Sequence, residues 1–187
     1  KDLPLRLLAD DASPSKTDRV LSVTQQEQQF VFEGLESEPI PSLLRGFSAP
    51  VRLQYDYSRA ELLFLMVNDS DGFNRWNASQ LLTIGLIEEL QSDLAAGIDL
   101  ALPQSLVDAY AGVLNSTLSD PSVDKAMIAQ LLSLPTIGFL IEGSEVADVD
   151  SIHLAREFLL NGLPAKSYSS FLDVYTNNTS HPDYAAE

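Results

Sequence analysis

The run Ser42–Tyr57, SLLRGFSAPVRLQYDY, constrains this chain most, because it packs a bend, a strand and the approach to a helix into one short stretch. Pro39, Pro41, Gly46 and Pro50 interrupt regular structure around it. Proline removes a backbone donor and fixes φ, whereas glycine admits backbone shapes closed to other residues. Val51, Leu53 and Tyr55 then alternate with Arg52 and Gln54, the period of two expected of a half-buried strand. Ser58 follows, with Glu61 three residues on, which predicts a capping box. The Ser hydroxyl accepts from a first-turn N–H and the Glu side chain reaches back to the cap. Upstream the chain reads as strand; downstream it reads as helix throughout.

Charge and composition narrow the function classes. Eleven basic against 27 acidic residues give a net charge of −16 over 187 residues. Such a balance argues against nucleic acid and anionic membranes, whose phosphates need Lys and Arg. Apolar residues make up 45% and charged residues 20%, enough for a packed core. The absence of cysteine removes disulfide scaffolds, thiolate zinc sites, iron–sulfur clusters and cysteine nucleophiles, and fits a reducing, cytoplasmic setting. No apolar run approaches transmembrane length. KDLPLRLL at the start has neither signal-peptide architecture nor an initiator Met, so the chain reads as a fragment of something longer.

Residues 1–57 read as a partial β-sandwich domain. Leu3, Leu5 and Leu7 alternate, and residues 10–18 form a turn or exposed loop rich in Asp, Ser and Pro. Val20–Thr24, Gln28–Glu33 (with Phe30 and Phe32 on one face) and Val51–Tyr55 are the further strands expected. Four short strands suggest part of an Ig-like sandwich with exposed edges.

Residues 58–187 read as helices. The first is expected from Ser58 to about Val67. A long one opens at Asp71 or Gly72 and runs to about Ala95, with Phe73, Trp76, Leu81, Ile84, Ile87, Leu90 and Leu94 inward and Gly97 as its stop. Pro103 marks the first position of a third, carrying Leu106, Val107, Tyr110, Val113 and Leu114. Asp120 and Pro121 read as the cap and first position of a fourth, with Val123, Met127, Leu131 and Leu134 as its stripe and Pro135 as its end. An apolar segment, Thr136–Ile141, precedes a helix capped by Asp150 and running to about Asn161, with Ile152, Ala155, Phe158 and Leu159 inward. Gly162 and Pro164 are expected to break or kink the chain there. Tyr168, Phe171, Leu172 and Tyr175 mark a last helix, and residues 177–187 read as a loose tail. The fold class is therefore α+β, mainly α: a partial Ig-like sandwich followed by an α-solenoid of paired helices.

The run PSLLRGFSAPVRLQYDYS, continued by FLMVNDSDGFNRWNASQLL, closely resembles the β-to-helical junction of the bacterial aminopeptidase N family, which are zinc metallopeptidases. The likeness extends from about Val20 to the end of the chain and is densest over 41–82. It implies that residues 1–57 belong to a small sandwich whose opening strands lie upstream of Lys1. It also implies that residues 58–187 begin a superhelical C-terminal domain that closes over the catalytic cleft and limits entry. For the parent it implies zinc-dependent removal of N-terminal amino acids from peptides, with zinc held elsewhere. The expected partners are the parent's own catalytic domain and its peptide substrates, together with self-association through exposed β edges. A stand-alone helical interaction module is the alternative.

The residues that such chemistry needs are missing from this stretch. A zinc site of this type requires HExxH, so that two imidazoles one helical turn apart face one metal. His153 and His181 stand 28 positions apart, and the family's GxMEN motif is absent. No catalytic, cofactor-binding or metal-ligating residue is assigned. No Ser sits in a G-x-S-x-G elbow, and the glycines form neither a P-loop nor a dinucleotide fingerprint. Glu88–Glu89 and Asp148/Asp150 read as solvated faces or caps. The Asn-x-Ser/Thr matches at Asn68, Asn77, Asn115, Asn177 and Asn178 read as chance. Arg45 is expected to tie the two domains, Phe47 to plug their interface, and Trp76 to anchor the long helix on the first.

Overall fold

The computed structural model describes residues 2–8, 16–120 and 122–178, the Phe47 side chain excepted. The chain separates into two compact units, Lys1–Tyr55 and Asp56–Glu187.

In the first unit, Leu7 and Phe32 form an isolated antiparallel bridge. The Leu8 N–H donates to Val31 O at 2.9 Å and the Glu33 N–H to Arg6 O at 3.0 Å. The Arg6 guanidinium meets the Glu33 carboxylate at 3.1 Å across the same bridge. Phe30 and Phe32 are half-buried while Gln29 and Val31 face water, as the alternation predicts. The other expected strands form no ladder among the described residues. Val20 is 82% exposed and Val51 60% exposed. Alternation says which side a strand would bury, but a ladder needs a partner backbone. The bend is built by Leu44 and Gly46, both left-handed with φ of 54° and 60°, around a single 3-10 turn, Arg45–Phe47. Gly46 adopts that shape at no steric cost, whereas Leu44 does so at about 1 kcal/mol.

The second unit holds seven helices among the described residues: α1 (Arg59–Asn68), α2 (Gly72–Ala96), α3 (Gln104–Ser119), α4 (Lys125–Leu131), α5 (Ile137–Gly143), α6 (Val149–Lys166) and α7 (Tyr168–Asn177). The capping box is present. The Glu61 N–H donates to Ser58 Oγ at 3.3 Å and the Ser58 N–H to Glu61 Oε2 at 2.7 Å. Asp71 caps α2 by accepting from the Asn74 N–H at 2.9 Å, and Gly97 ends it with φ of 68°. Pro103 sits one position before α3 rather than inside it.

α2 is the spine, packing against α1, α4 and α6, while α3 packs against α1 and α7. The core joins Leu62, Leu65 and Met66 of α1 to Leu82, Leu86, Ile87 and Leu90 of α2. α3 adds Leu106, Val107, Tyr110, Val113 and Leu114, and α6 adds Ile152, Ala155, Leu159 and Leu163.

Several expected boundaries and faces differ. Asp120 does not open α4. It closes α3, and its carboxylate accepts from the Ser122 N–H and hydroxyl at 2.9 and 2.6 Å. The cap of α4 is Asp124, which accepts from Ala126 and Met127; Pro121 lies outside the described residues. Asp148, not Asp150, caps α6, and Thr136–Ile141 is the cap and body of α5. α6 runs through Gly162 and Pro164 to Lys166. Pro164 forfeits one backbone hydrogen bond, but the buried pair Leu159 and Leu163 holds the helix together. Gly162 leaves room for Leu102, whose Cδ1 would lie 2.6 Å from an added Cβ. On α2 the buried face is turned toward Ser79 and Thr83, leaving Leu81 41% exposed. On α7, Tyr168, Leu172 and Tyr175 face outward, and Phe171 and Val174 are half-buried.

Candidate functional site

A turn at the centre of the helical unit gathers polar side chains from three helices. Where α4 ends, its last carbonyls have no helical partner, as at every helix terminus. Here neighbouring helices supply the donors. Ser79 Oγ donates to Leu131 O at 2.8 Å, Gln80 Nε2 to Ser133 O at 2.9 Å, and Tyr110 OH to Leu132 O at 3.4 Å. Arg156 Nε of α6 donates to Pro135 O at 2.8 Å. Thr83 Oγ1 turns back to Ser79 O at 2.7 Å. Burial pushes the Tyr110 hydroxyl up to about 12, against the opposing bonds to Ser79 and Thr83. This cluster locks a turn; its donors are spent on backbone carbonyls rather than left for a substrate.

A second feature is an open groove of about 520 Å³ between the C-terminal end of α2 and α6. Leu94 and Leu100 form one wall and Leu154 and Phe158 the other, with Gly162 at one end. Glu157 and Asn161 supply its polar lining, and the Asn161 amide already donates to Glu157 O at 2.8 Å.

Among the described residues, those singled out from sequence do not converge. His153 is exposed on α6, and His181 lies outside the described residues. Among the described residues, no group of three or more His, Asp or Glu side chains is placed to hold a metal ion. Glu89 receives both its oxygens' hydrogen bonds from Arg59 Nη2, while Asp148 accepts from the Ser151 N–H at 3.2 Å. Arg45 Nη1 donates to Ser42 Oγ at 3.1 Å within its own bend. Trp76 is half-buried, and its ring stacks at a tilt on Phe73 of the same helix, centroids 5.5 Å apart. The groove was not legible in the sequence, because about sixty residues separate Leu94 from Leu154.

Comparison with known proteins follows the same division. Residues 3–56 match the family described as "Domain of unknown function (DUF3458) Ig-like fold". Residues 59–187 match "Domain of unknown function (DUF3458_C) ARM repeats". Aminopeptidase N of Escherichia coli K12 is 36% identical over 159 residues, covering 85% of this chain and 18% of that protein. Aminopeptidase N of Haemophilus influenzae is 33% identical over 187 residues, covering 94% and 21%. The crystal structure of Legionella pneumophila aminopeptidase A in complex with aspartic acid superposes with a TM-score of 0.73 at 32% identity, covering 97% of this chain and 21% of that one. The chain thus spans about a fifth of the length of the relatives it matches. An Ig-like segment passing into ARM-type helical repeats, at this identity over most of its length, places the chain in the aminopeptidase N family, as part of its C-terminal region.

Proposed function

We propose that this chain is the non-catalytic β-to-helical portion of a zinc-dependent aminopeptidase that removes N-terminal residues from peptides. The observation that carries the reading is the fit of 97% of this chain onto about a fifth of an aminopeptidase, at a TM-score of 0.73. Zinc and the catalytic groups then belong to the rest of the parent. Residues 1–57 are the sandwich side of the junction and 58–187 the start of the helical domain. The missing ladder partners of Val20–Thr24 and Val51–Tyr55 come from elsewhere in the sandwich.

The role of the helical part is to wall the catalytic cleft and limit entry to short or unfolded chains. Rigid, mutually packed helices suit that task, because excluding bulk needs no reactive group. The carbonyl-locked turn after α4 supports such rigidity, since it ties α2, α3 and α6 to one point. Its partners are the catalytic domain and the peptides it admits. The compartment in this reading is cytoplasmic, which the lack of cysteine supports. No described helix is long and apolar enough to cross a membrane.

The reading frame upstream of the Lys1 codon tests the proposal. It should continue into GxMEN and then HExxH, and the intact product should hydrolyse an alanyl anilide in a chelator-sensitive way while residues 1–187 alone do not. A frame that starts beside Lys1, or chelator-sensitive hydrolysis by the isolated chain, overturns it.

A further inference from the structure

We infer that Met127 is an oxidation-sensitive contact of the helical unit: a hydroperoxide converts its thioether to a sulfoxide in the folded protein, and the change loosens α4 from α2. The chain has two methionines and no cysteine, so its sulfur chemistry rests on Met66 and Met127 alone. The fold separates the two. Met66 lies in the α1 core at 0% exposure. Met127, on α4, is only half-buried. A small oxidant reaches Met66 only through an opening of the fold, whereas Met127 needs none.

The position of Met127 makes an added oxygen matter. Its side chain lies on Gly72, the first residue of α2. A Cβ added at residue 72 would stand 3.2 Å from Met127 Cε, 3.5 Å from Cγ and 3.8 Å from Sδ. The glycine thus leaves the room that the thioether fills. A flexible apolar side chain suits such a gap; a sulfoxide is polar, chiral and larger by one oxygen. α4 has seven residues, and Ile128 and Leu131 are its buried side chains, so little other apolar surface holds it in place. Its end also carries the Leu131 and Leu132 carbonyls that Ser79 and Tyr110 anchor. A displacement at Met127 therefore pulls on those bonds.

The step is a two-electron oxygen transfer. A sulfur lone pair attacks one peroxide oxygen and the O–O bond breaks. The proton of the transferred oxygen passes to the leaving oxygen, which departs as water when the oxidant is hydrogen peroxide. Sulfur is oxidised and the peroxide is reduced.

The inference does not rest on the aminopeptidase reading, because its readouts are mass and amide exchange rather than hydrolysis. The intact protein is treated with dilute hydrogen peroxide at neutral pH, quenched, digested and mapped by mass spectrometry. Hydrogen exchange is then compared with that of untreated protein. Met127 should gain one oxygen at least about tenfold faster than Met66. After oxidation the α4 amides should exchange about fivefold to thirtyfold faster. Methionine sulfoxide reductases, one for each epimer, should restore the slow exchange. Met127→Leu nearly conserves volume, so it should keep the parental exchange pattern and make α4 indifferent to peroxide. Met127 that stays unoxidised in the folded protein, or that reacts no faster than Met66, overturns the inference. So does the same acceleration of α4 exchange in the Met127→Leu protein. Unchanged or slower α4 exchange after oxidation also overturns it, the slower case meaning that the new oxygen has found a donor in the first turn of α2.

Discussion

Ser79 Oγ donates a 2.8 Å hydrogen bond to Leu131 O, and both residues are almost completely shielded from water. The bond joins the N-terminal third of α2 to the end of α4 across 52 positions of sequence. It turns a polar residue into part of the core. Ser79→Ala should therefore destabilise the fold by about 1–3 kcal/mol, the cost of stranding a buried carbonyl. Urea unfolding of the variant measures it, and a loss below about 0.5 kcal/mol would mean that Leu131 O has found another donor.

The capping box gives a pH-dependent prediction. The Ser58 hydroxyl, and then its backbone N–H, hold the Glu61 carboxyl below its ordinary value of 4.5. A carboxylate with a depressed folded-state pKa contributes stability that is complete above the unfolded pKa and is lost as pH falls through the folded one. Acid titration should show α1 fraying only below the usual glutamate range, and Glu61→Gln should remove that transition. Ser58→Ala should cost about 1 kcal/mol at neutral pH. Unchanged amide-exchange rates in the first turn of α1 would count against both statements.

Tyr110 gives the alkaline counterpart. Its hydroxyl is raised from 10.0 to about 12, chiefly by burial. The folded state keeps the proton longer than the unfolded chain does. Stability is therefore undiminished below pH 10 and is lost as pH rises toward 12, by about 2–3 kcal/mol in all. Urea midpoints measured from pH 9 to 11.5 should fall along that course, and Tyr110→Phe should flatten the fall. An equally steep decline in the Phe variant would assign the alkaline sensitivity to other groups.

Gly162 and Leu102 form a steric pair. A Cβ at residue 162 would stand 2.6 Å from Leu102 Cδ1, which is the flexible end of its side chain. Gly162→Ala alone should change stability by less than about 1 kcal/mol, because improved helix propensity offsets the displacement of Leu102. In a Leu102→Ala background the same change should become stabilising by about 0.5–1 kcal/mol. A double-mutant cycle with no coupling would show that Leu102 moves aside freely.

Self-association through unit 1 is testable by the same logic. Val20, Val51 and Leu53 leave apolar side chains in water beside unladdered backbone. The isolated chain should sediment as more than a monomer at micromolar concentration, and Val51→Lys should reduce this. A concentration-independent monomer would remove the edge-pairing expectation.

What was legible in the sequence was local. The Ser58–Glu61 box, the Asp71 cap and the Gly97 stop each depend on groups within a turn of one another, so the residues themselves encode the contact. The inward face of α3 was legible too, because Leu106, Val107, Tyr110, Val113 and Leu114 keep helical spacing without a competing apolar stripe. The absence of convergent donor motifs in the sequence left no catalytic site to look for, and the polar cluster that the fold assembles serves a turn.

Tertiary structure decided the rest, wherever a residue's fate depends on a partner far away in sequence. Ser79 and Thr83 displaced Leu81 from the buried face of α2, because their hydroxyls find carbonyls there and a buried donor so satisfied costs little. Pro164 stayed inside α6 because burial of Leu159 and Leu163 outweighs one missing hydrogen bond. Asp120 lost the cap to Asp124, since Ser122 offered its carboxylate a nearer pair of donors. The groove exists only because α2 and α6 pack side by side. Sequence fixes bonds that close within a helical turn; packing fixes which of several competing faces goes inward, because that choice is settled by the summed burial of surfaces brought together from distant parts of the chain.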